Sequence, residues 1–223
     1  MQIKDNRPEA LIFDLDGTLF RTETLSLPAY HATFDQLRAE GLFLEETPAE
    51  EKFLKSLGLL LSEIWENVMP NGSQAARDRA NQLLLHHQSK LLKQGLGEMY
   101  PDVATTLEKL HDRGYKLYVA SNGLEQYVKE VIQEKGLAPL FAGLYSAGEF
   151  QTQSKIDLVR LLLEQHHLQS AWMCGDRSSD VEAGKANGLF VVGCNYGGFH
   201  QAEELRHADL LLSLFGELDK YLA

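Results

Sequence analysis

Two carboxylates, Asp14 and Asp16, close an apolar run that begins at Ala10, and Gly17 follows them directly. An ionised group is costly to bury unless it is paired, so an acid inside such a run needs a partner or a use. Two carboxylates near one point repel unless a cation or a proton lies between them. A hard divalent cation suits them, and Mg2+ in particular keeps several waters and takes one or two carboxylates together with a substrate phosphate. One carboxylate could attack phosphorus. The other could give a proton to the leaving oxygen and later take one from water. Asp16-Gly17 alone is also an ordinary turn signal. That plainer reading gives no role to Asp14 or to a second acidic cluster at Asp176 and Asp180.

Phosphoryl transfer also requires the equatorial oxygens to be neutralised. Ser121, with the amides of Asn122 and Gly123, could donate hydrogen bonds at a strand-to-helix turn, a favourable anion position. Lys155 precedes a helix and carries a compact charge suited to phosphate. Each of these alone reads as a loop residue or a solvated lysine, and Asp180 alone as an acid favouring a helix N-terminus. Together, on successive strand ends, they read as one site. His86, His87, His166 and His167 are adjacent pairs whose side chains point in different directions on a helix, so they are expected as surface or partly packed residues. Phe34 and Trp65 are expected in a core. Arg21 and Thr22 could reach a substrate, and Arg177 faces either solvent or a phosphate.

The elements around these residues predict the fold class. Residues 10–15 form a buried strand. Residues 25–95 then show almost no strand-like runs and several helix signals: a helix over 29–40 stopped by Gly41, a capping box with proline at Thr47-Pro48-Ala49-Glu50, and a helix capped by Ser73 that ends at Gly95. After Gly97 the pattern alternates: helix 103–113, strand 116–120, helix 124–135, a strand within 140–146, helix 156–166, strand 171–174, helix 179–186, strand 189–194 and strand 208–212. Such alternation builds an α/β, doubly wound and mostly parallel sheet with helices on both faces. The expected division is a core of residues 1–20 and 96–223 with an inserted α-helical subdomain, 21–95. Ligands in such sheets bind at the carboxyl ends of the strands, where Asp14, Asp16, Ser121, Asn122, Asp176 and Asp180 fall.

Composition narrows the partners. With 32 acidic and 21 basic residues the net charge is −11, the wrong sign for a nucleic-acid polymer, which needs clustered Lys and Arg. No apolar stretch is long enough for a bilayer, and residues 1–9 carry no signal segment. Cys174 and Cys194 lie in apolar runs and read as reduced core thiols. The expectation is a cytoplasmic chain with a small phosphorylated partner, as a monomer or homodimer.

In these residues the chain resembles the haloacid dehalogenase superfamily of hydrolases, in its phosphoglycolate-phosphatase-like branch. Phe13-Asp14-Leu15-Asp16-Gly17-Thr18, Val119-Ala120-Ser121-Asn122-Gly123, Lys155, and Cys174-Gly175-Asp176-Arg177-Ser178-Ser179-Asp180 resemble its four motifs in order. The resemblance implies a Mg2+-dependent phosphatase of small phosphate monoesters such as phosphoglycolate, a sugar phosphate or a nucleotide, working through an aspartyl-phosphate. It implies Asp14 as nucleophile and metal ligand, and Asp16 as general acid and base with its backbone carbonyl on the metal. Ser121 would hold phosphoryl oxygens, Lys155 would pair with phosphate and orient Asp14, and Asp176 would bind the metal. Asp180 would bind the metal or support it, and a helical cap would close over the site. An acid at Asp16 favours phosphate esters over haloacids. The alternatives are a sugar-phosphate mutase or phosphotransferase, which shares both acids, and, in another class, a phosphoacceptor signalling or binding protein, which would lack the insertion.

Overall fold

A computed structural model of the chain describes residues 7–57, 59, 61–197 and 203–222, with the side chains of 61 and 62 left aside. The chain divides into two compact units, Met1–Phe20 with Met99–Ala223, and Arg21–Glu98. It begins with β1 (Ala10–Phe13), passes β2 (Phe20–Arg21) and runs through four helices, α1 (Glu23–Ala39), α2 (Glu50–Ser56), α3 (Leu61–Val68) and α4 (Gln74–Lys93). It returns at β3 (Glu98–Met99), which pairs with β2. The alternating part follows: α5 (Val103–Asp112), β4 (Lys116–Ser121), α6 (Glu125–Glu134), β5 (Phe141–Ser146), α7 (Ala147–Phe150), α8 (Lys155–Gln165), β6 (Ala171–Gly175), α9 (Ser178–Ala186), β7 (Phe190–Cys194), β8 (Leu210–Leu212) and α10 (Leu218–Tyr221).

The first unit is a six-stranded sheet in the order β5-β4-β1-β6-β7-β8, and every described pairing in it is parallel. All four residues of β1 are buried, as a strand covered on both faces requires. Alternate side chains take opposite faces. Ala10 and Ile12 join Tyr118, Met173, Leu158 and Leu162 in one layer. Phe13 faces the other way, its ring 5.8 Å from that of Phe215. The helices bury one stripe each, as α6 does with Tyr127, Val128, Val131 and Ile132, the spacing of an amphipathic helix.

Between β2 and β3 the described elements of the second unit are all helices. Tyr30, Phe34, Phe53, Trp65, Val68, Leu83 and Leu84 share its core, and the rings of Tyr30 and Phe53 stack at 4.5 Å. Phe34 and Trp65 thus lie in this core. α1 and α4 pack along each other and are pinned by Gln88, whose amide donates to the Ser26 hydroxyl at 2.8 Å. Ser73 caps α4 by accepting the Ala76 amide at 3.2 Å.

Two local expectations are corrected. α1 begins at Glu23, well before residue 29, and carries Pro28 as its sixth residue; the proline lies past the four amides that lack partners at a helix start, so α1 forgoes one backbone bond there. The capping box at Thr47–Glu50 does not form: α2 begins at Glu50 after an extended Ala49, with no side-chain cap. The Thr47 hydroxyl accepts from Arg38 at 3.0 Å, and the Glu50 carboxylate lies 2.5 Å from the His31 ring nitrogen. Both side chains have longer-range partners that compete with the local cap.

Candidate active site

β1 is the point where the winding of the sheet reverses. From it the chain builds β4 and β5 on one side, then returns to place β6, β7 and β8 on the other. Loops leaving such a point diverge and open a crevice at the carboxyl ends of the strands. Phe13 pairs with Cys174 in β6, and the Asp14 amide continues the ladder by donating to the Cys174 carbonyl at 2.9 Å. Asp14 therefore leaves β1 beside Asp176, which leaves β6. Both are buried, 3% and 2% exposed. Asp180 stands in the first turn of α9 and is fully buried. Lys155 is the first residue of α8, whose N-cap Ser154 accepts the Asp157 amide at 3.2 Å.

These four side chains meet. The Lys155 ammonium lies 2.6 Å from Asp14 Oδ1 and 2.5 Å from Asp180 Oδ1. Asp180 Oδ2 accepts the Arg177 amide at 2.9 Å. The Thr18 hydroxyl donates to Asp176 Oδ1 at 2.9 Å. Asp14, Asp176 and Asp180 each present an oxygen to one point, all within 4.8 Å of one another. Three carboxylates against one ammonium leave an excess of two negative charges in a buried place when all are ionised. The Asp14 carboxyl responds: burial, opposed by Lys155 and reinforced by Asp180 and Asp16, pushes it up to about 7. Burial and the neighbouring carboxylates of Asp14 and Asp180 also push Asp176 well up. For Lys155 burial works against the charge, yet Asp14 and Asp180 outweigh it and raise its affinity for its proton. The missing charge is that of one divalent cation, and an all-oxygen donor set is what Mg2+ or a similar hard ion prefers.

Asp16 stands apart from this cluster. It is half-buried and bridges to Phe20, and its Oδ1 accepts the Tyr127 hydroxyl at 2.6 Å. Gly17 makes the turn between them, at φ +81°, and a Cβ there would lie 2.3 Å from Asp176 Oδ2. Only glycine lets the turn approach that carboxylate. The Tyr196 hydroxyl holds the same turn by donating to the Thr18 carbonyl at 2.8 Å. Ser121 ends β4, the strand beside β1, and its hydroxyl accepts the Gly123 amide at 3.1 Å. Asn122 and Gly123 thus form a tight turn on the adjoining strand end, which the Gly148 amide joins by donating to the Gly123 carbonyl at 3.2 Å.

Other candidates have different occupations. Arg177 pairs with Glu204 at 2.9 Å. Arg21 pairs with Glu98 at 2.6 Å and Glu23 at 3.3 Å, and Thr22 is buried at the start of α1. His87 lies 3.1 Å from the Gln36 side chain, and His166 packs on Tyr118. Among the described residues, no histidine joins the group able to hold a metal. Cys174 and Cys194 are free and buried. Thr18, Tyr127 and Tyr196 escaped the sequence reading. Thr18 stood within the first motif and carried a signal by position; the two tyrosines carried none.

The match to known proteins agrees with this geometry. Residues 11–194 match the family described as haloacid dehalogenase-like hydrolase. The chain belongs to that family. It is 28% identical over 208 residues, 89% of each chain, to a phosphoglycolate phosphatase of Vibrio cholerae. It is 26% identical over 178 residues, 78% of this chain and 77% of the other, to the pyrophosphatase PpaX of Listeria monocytogenes. A crystal structure described as a predicted phosphoglycolate phosphatase from Haemophilus somnus superposes with a TM-score of 0.83 at 19% identity, over 98% of this chain and 100% of that one. That likeness shows the shared fold, helical insertion included. The protein is therefore an enzyme of the hydrolase class. No described helix is long and apolar enough to cross a membrane.

Proposed function

We propose that this hydrolase is a phosphatase of small phosphate monoesters that works with Mg2+ and carries the phosphoryl group on Asp14. The observation that carries the reading is the ammonium of Lys155 placed 2.6 Å from Asp14 in a buried cluster that still lacks two positive charges. A nucleophilic carboxylate needs one oxygen free to attack and the other held, and Lys155 does the holding. Asp14, Asp176 and Asp180 would hold the cation, with Asp16 adding its backbone carbonyl. A bound divalent cation would offset the charge of the phosphoryl group and keep Asp14 ionised.

The residues then divide the work. Asp14 attacks phosphorus, forming its oxygen–phosphorus bond as the ester bond breaks. Asp16 gives its proton to the departing oxygen. Asp16 next takes a proton from water, whose oxygen attacks phosphorus and releases Asp14 and inorganic phosphate. Ser121 and the amides of Asn122 and Gly123 receive the equatorial oxygens, and Lys155 shares their charge. The helical insertion, residues 21–95, selects the ester as the cap of the core formed by 1–20 and 96–223. Phosphoglycolate is the first substrate to try, because a relative aligned over most of its length carries that name; pyrophosphate is the second.

The test is phosphate release from phosphoglycolate, pyrophosphate, sugar phosphates and nucleotides, with Mg2+ and with EDTA, by wild type and Asp14→Asn. Turnover that needs Mg2+ and vanishes in Asp14→Asn is the expected result. Release unaffected by EDTA, or retained by Asp14→Asn, overturns the mechanism. Isomerised sugar phosphate in place of free phosphate would assign a mutase.

A further inference from the structure

We infer that Tyr127 is a positioning residue for the proton transfer, acting through Asp16; the inference rests on the phosphatase reading given above. The phenol hydroxyl donates to Asp16 Oδ1 at 2.6 Å across 111 residues of sequence. Tyr127 is the third residue of α6 and 8% exposed, so its ring is held by packing, not by the hydrogen bond alone. The turn before α6 is shaped around that ring. A Cβ on Gly123 would lie 3.3 Å from Tyr127 Cδ1, closer than side-chain packing ordinarily allows. Gly123 thus gives the phosphate-binding turn and the tyrosine room to occupy the same corner. One helix start therefore fixes two things: the amides of the turn that follows β4 and the carboxylate that follows β1.

A carboxylate on a loop has two free torsions, and proton transfer needs its oxygen within hydrogen-bond reach of the leaving atom. The bond from Tyr127 to Oδ1 restrains both torsions of Asp16 and so fixes where its proton is given and taken. Misplacement of a reacting group costs rate steeply. The effect should appear only where the leaving oxygen needs a proton. An alkyl phosphate leaves as a poor alkoxide and needs one; 4-nitrophenyl phosphate leaves as a stable phenolate and does not.

The experiment measures kcat/KM, which reports steps through departure of the leaving group, for phosphoglycolate and 4-nitrophenyl phosphate in the same preparation of Tyr127→Phe. Their ratio is independent of how much of the sample is folded. Tyr127→Phe should lower the ratio about tenfold, the size of one hydrogen bond lost at the proton-bearing carboxyl. In an Asp16→Asn background the same change should leave the ratio unaltered, since residues that act as one unit are not additive. An unchanged ratio in Tyr127→Phe, or an equal further fall in the Asp16→Asn background, overturns the inference while leaving the phosphatase reading intact. Wild type inert on both esters overturns that reading and this one with it.

Discussion

Asp14→Asn should stabilise the metal-free protein while abolishing its activity. The reasoning begins with the excess of carboxylates around Lys155. Burial holds Asp14 at about 7 in the folded chain, against an ordinary 3.8. A carboxyl raised in this way favours the folded chain below 3.8 and loses that contribution as pH rises through about 7. At pH 8 the full difference applies, and 3.2 pH units at 1.36 kcal/mol each make about 4 kcal/mol of lost stability. At pH 5 only the interval above 3.8 counts, on the order of 1–2 kcal/mol. Asparagine has the same shape and no charge to desolvate. In EDTA the variant should therefore exceed wild type by about 4 kcal/mol at pH 8 and by less than half of that at pH 5. Urea unfolding followed by the fluorescence of Trp172, a β6 residue, reads this, with Trp65 replaced by Phe in every sample to silence the second unit. A midpoint difference of roughly 1.4 M at pH 8 is expected from an ordinary urea slope. Saturating Mg2+ should narrow or reverse the difference, because the cation binds the wild-type fold more tightly. If Asp14→Asn is the less stable protein in EDTA at both pH values, the attraction of Lys155 outweighs burial. The argument that this cluster lacks positive charge then fails.

Three further outcomes follow from the same contacts. Thr18→Val removes the hydroxyl that donates to Asp176 at 2.9 Å and should weaken Mg2+ binding by about 10-fold to 100-fold, the usual cost of losing a partner that orients a ligand; calorimetric titration showing equal affinity would refute it. Gly17→Ala places a methyl 2.3 Å from Asp176 at a positive φ, so Asp176 must move, and kcat/KM should fall about 100-fold; steady-state rates near wild type would refute it. Phe34→Ala opens a cavity among Tyr30, Phe43 and Trp65 and should cost about 3–5 kcal/mol, read as a lowered midpoint of the Trp65 signal; a change below about 1 kcal/mol would mean the second unit repacks freely.

The part of this site that was legible in the sequence is the part that conflicts with burial. Asp14 interrupts a run that must be a buried strand, and an acid there cannot be explained by packing. Asp176 repeats the conflict at the end of β6. The alternation after Gly97 is equally open to reading, because strands covered on both faces and helices with one apolar stripe have different periods. Element ends were less legible. Thr47 and Glu50 make a good local cap in isolation, but Arg38 and His31, brought near by folding, take their side chains instead. The helix expected over 29–40 begins six residues earlier, at Glu23. Tyr127 was invisible for a related reason. Its spacing with Val128, Val131 and Ile132 is that of a core stripe, and its body does pack as core. Only the hydroxyl at its tip reaches Asp16, and no periodicity reports on the tip of a side chain.

That difference bears on how the site is built. The charged residues are few and come from loops after β1 and β6 and from the first turns of α8 and α9. Each is held by groups that themselves look structural: Thr18 on Asp176, the Arg177 amide on Asp180, Tyr196 on the turn at Thr18, and Tyr127 on Asp16. A carboxylate cluster with an excess of negative charge resists its own assembly, so its geometry must be imposed by the surrounding packing. The sheet imposes it by setting Asp14 and Asp176 on neighbouring strands through the pairing of Phe13 with Cys174. On the proposed function, stability given up at Asp14 in the metal-free chain would become affinity for the cation held by Asp14, Asp176 and Asp180, and the same excess charge would account for both.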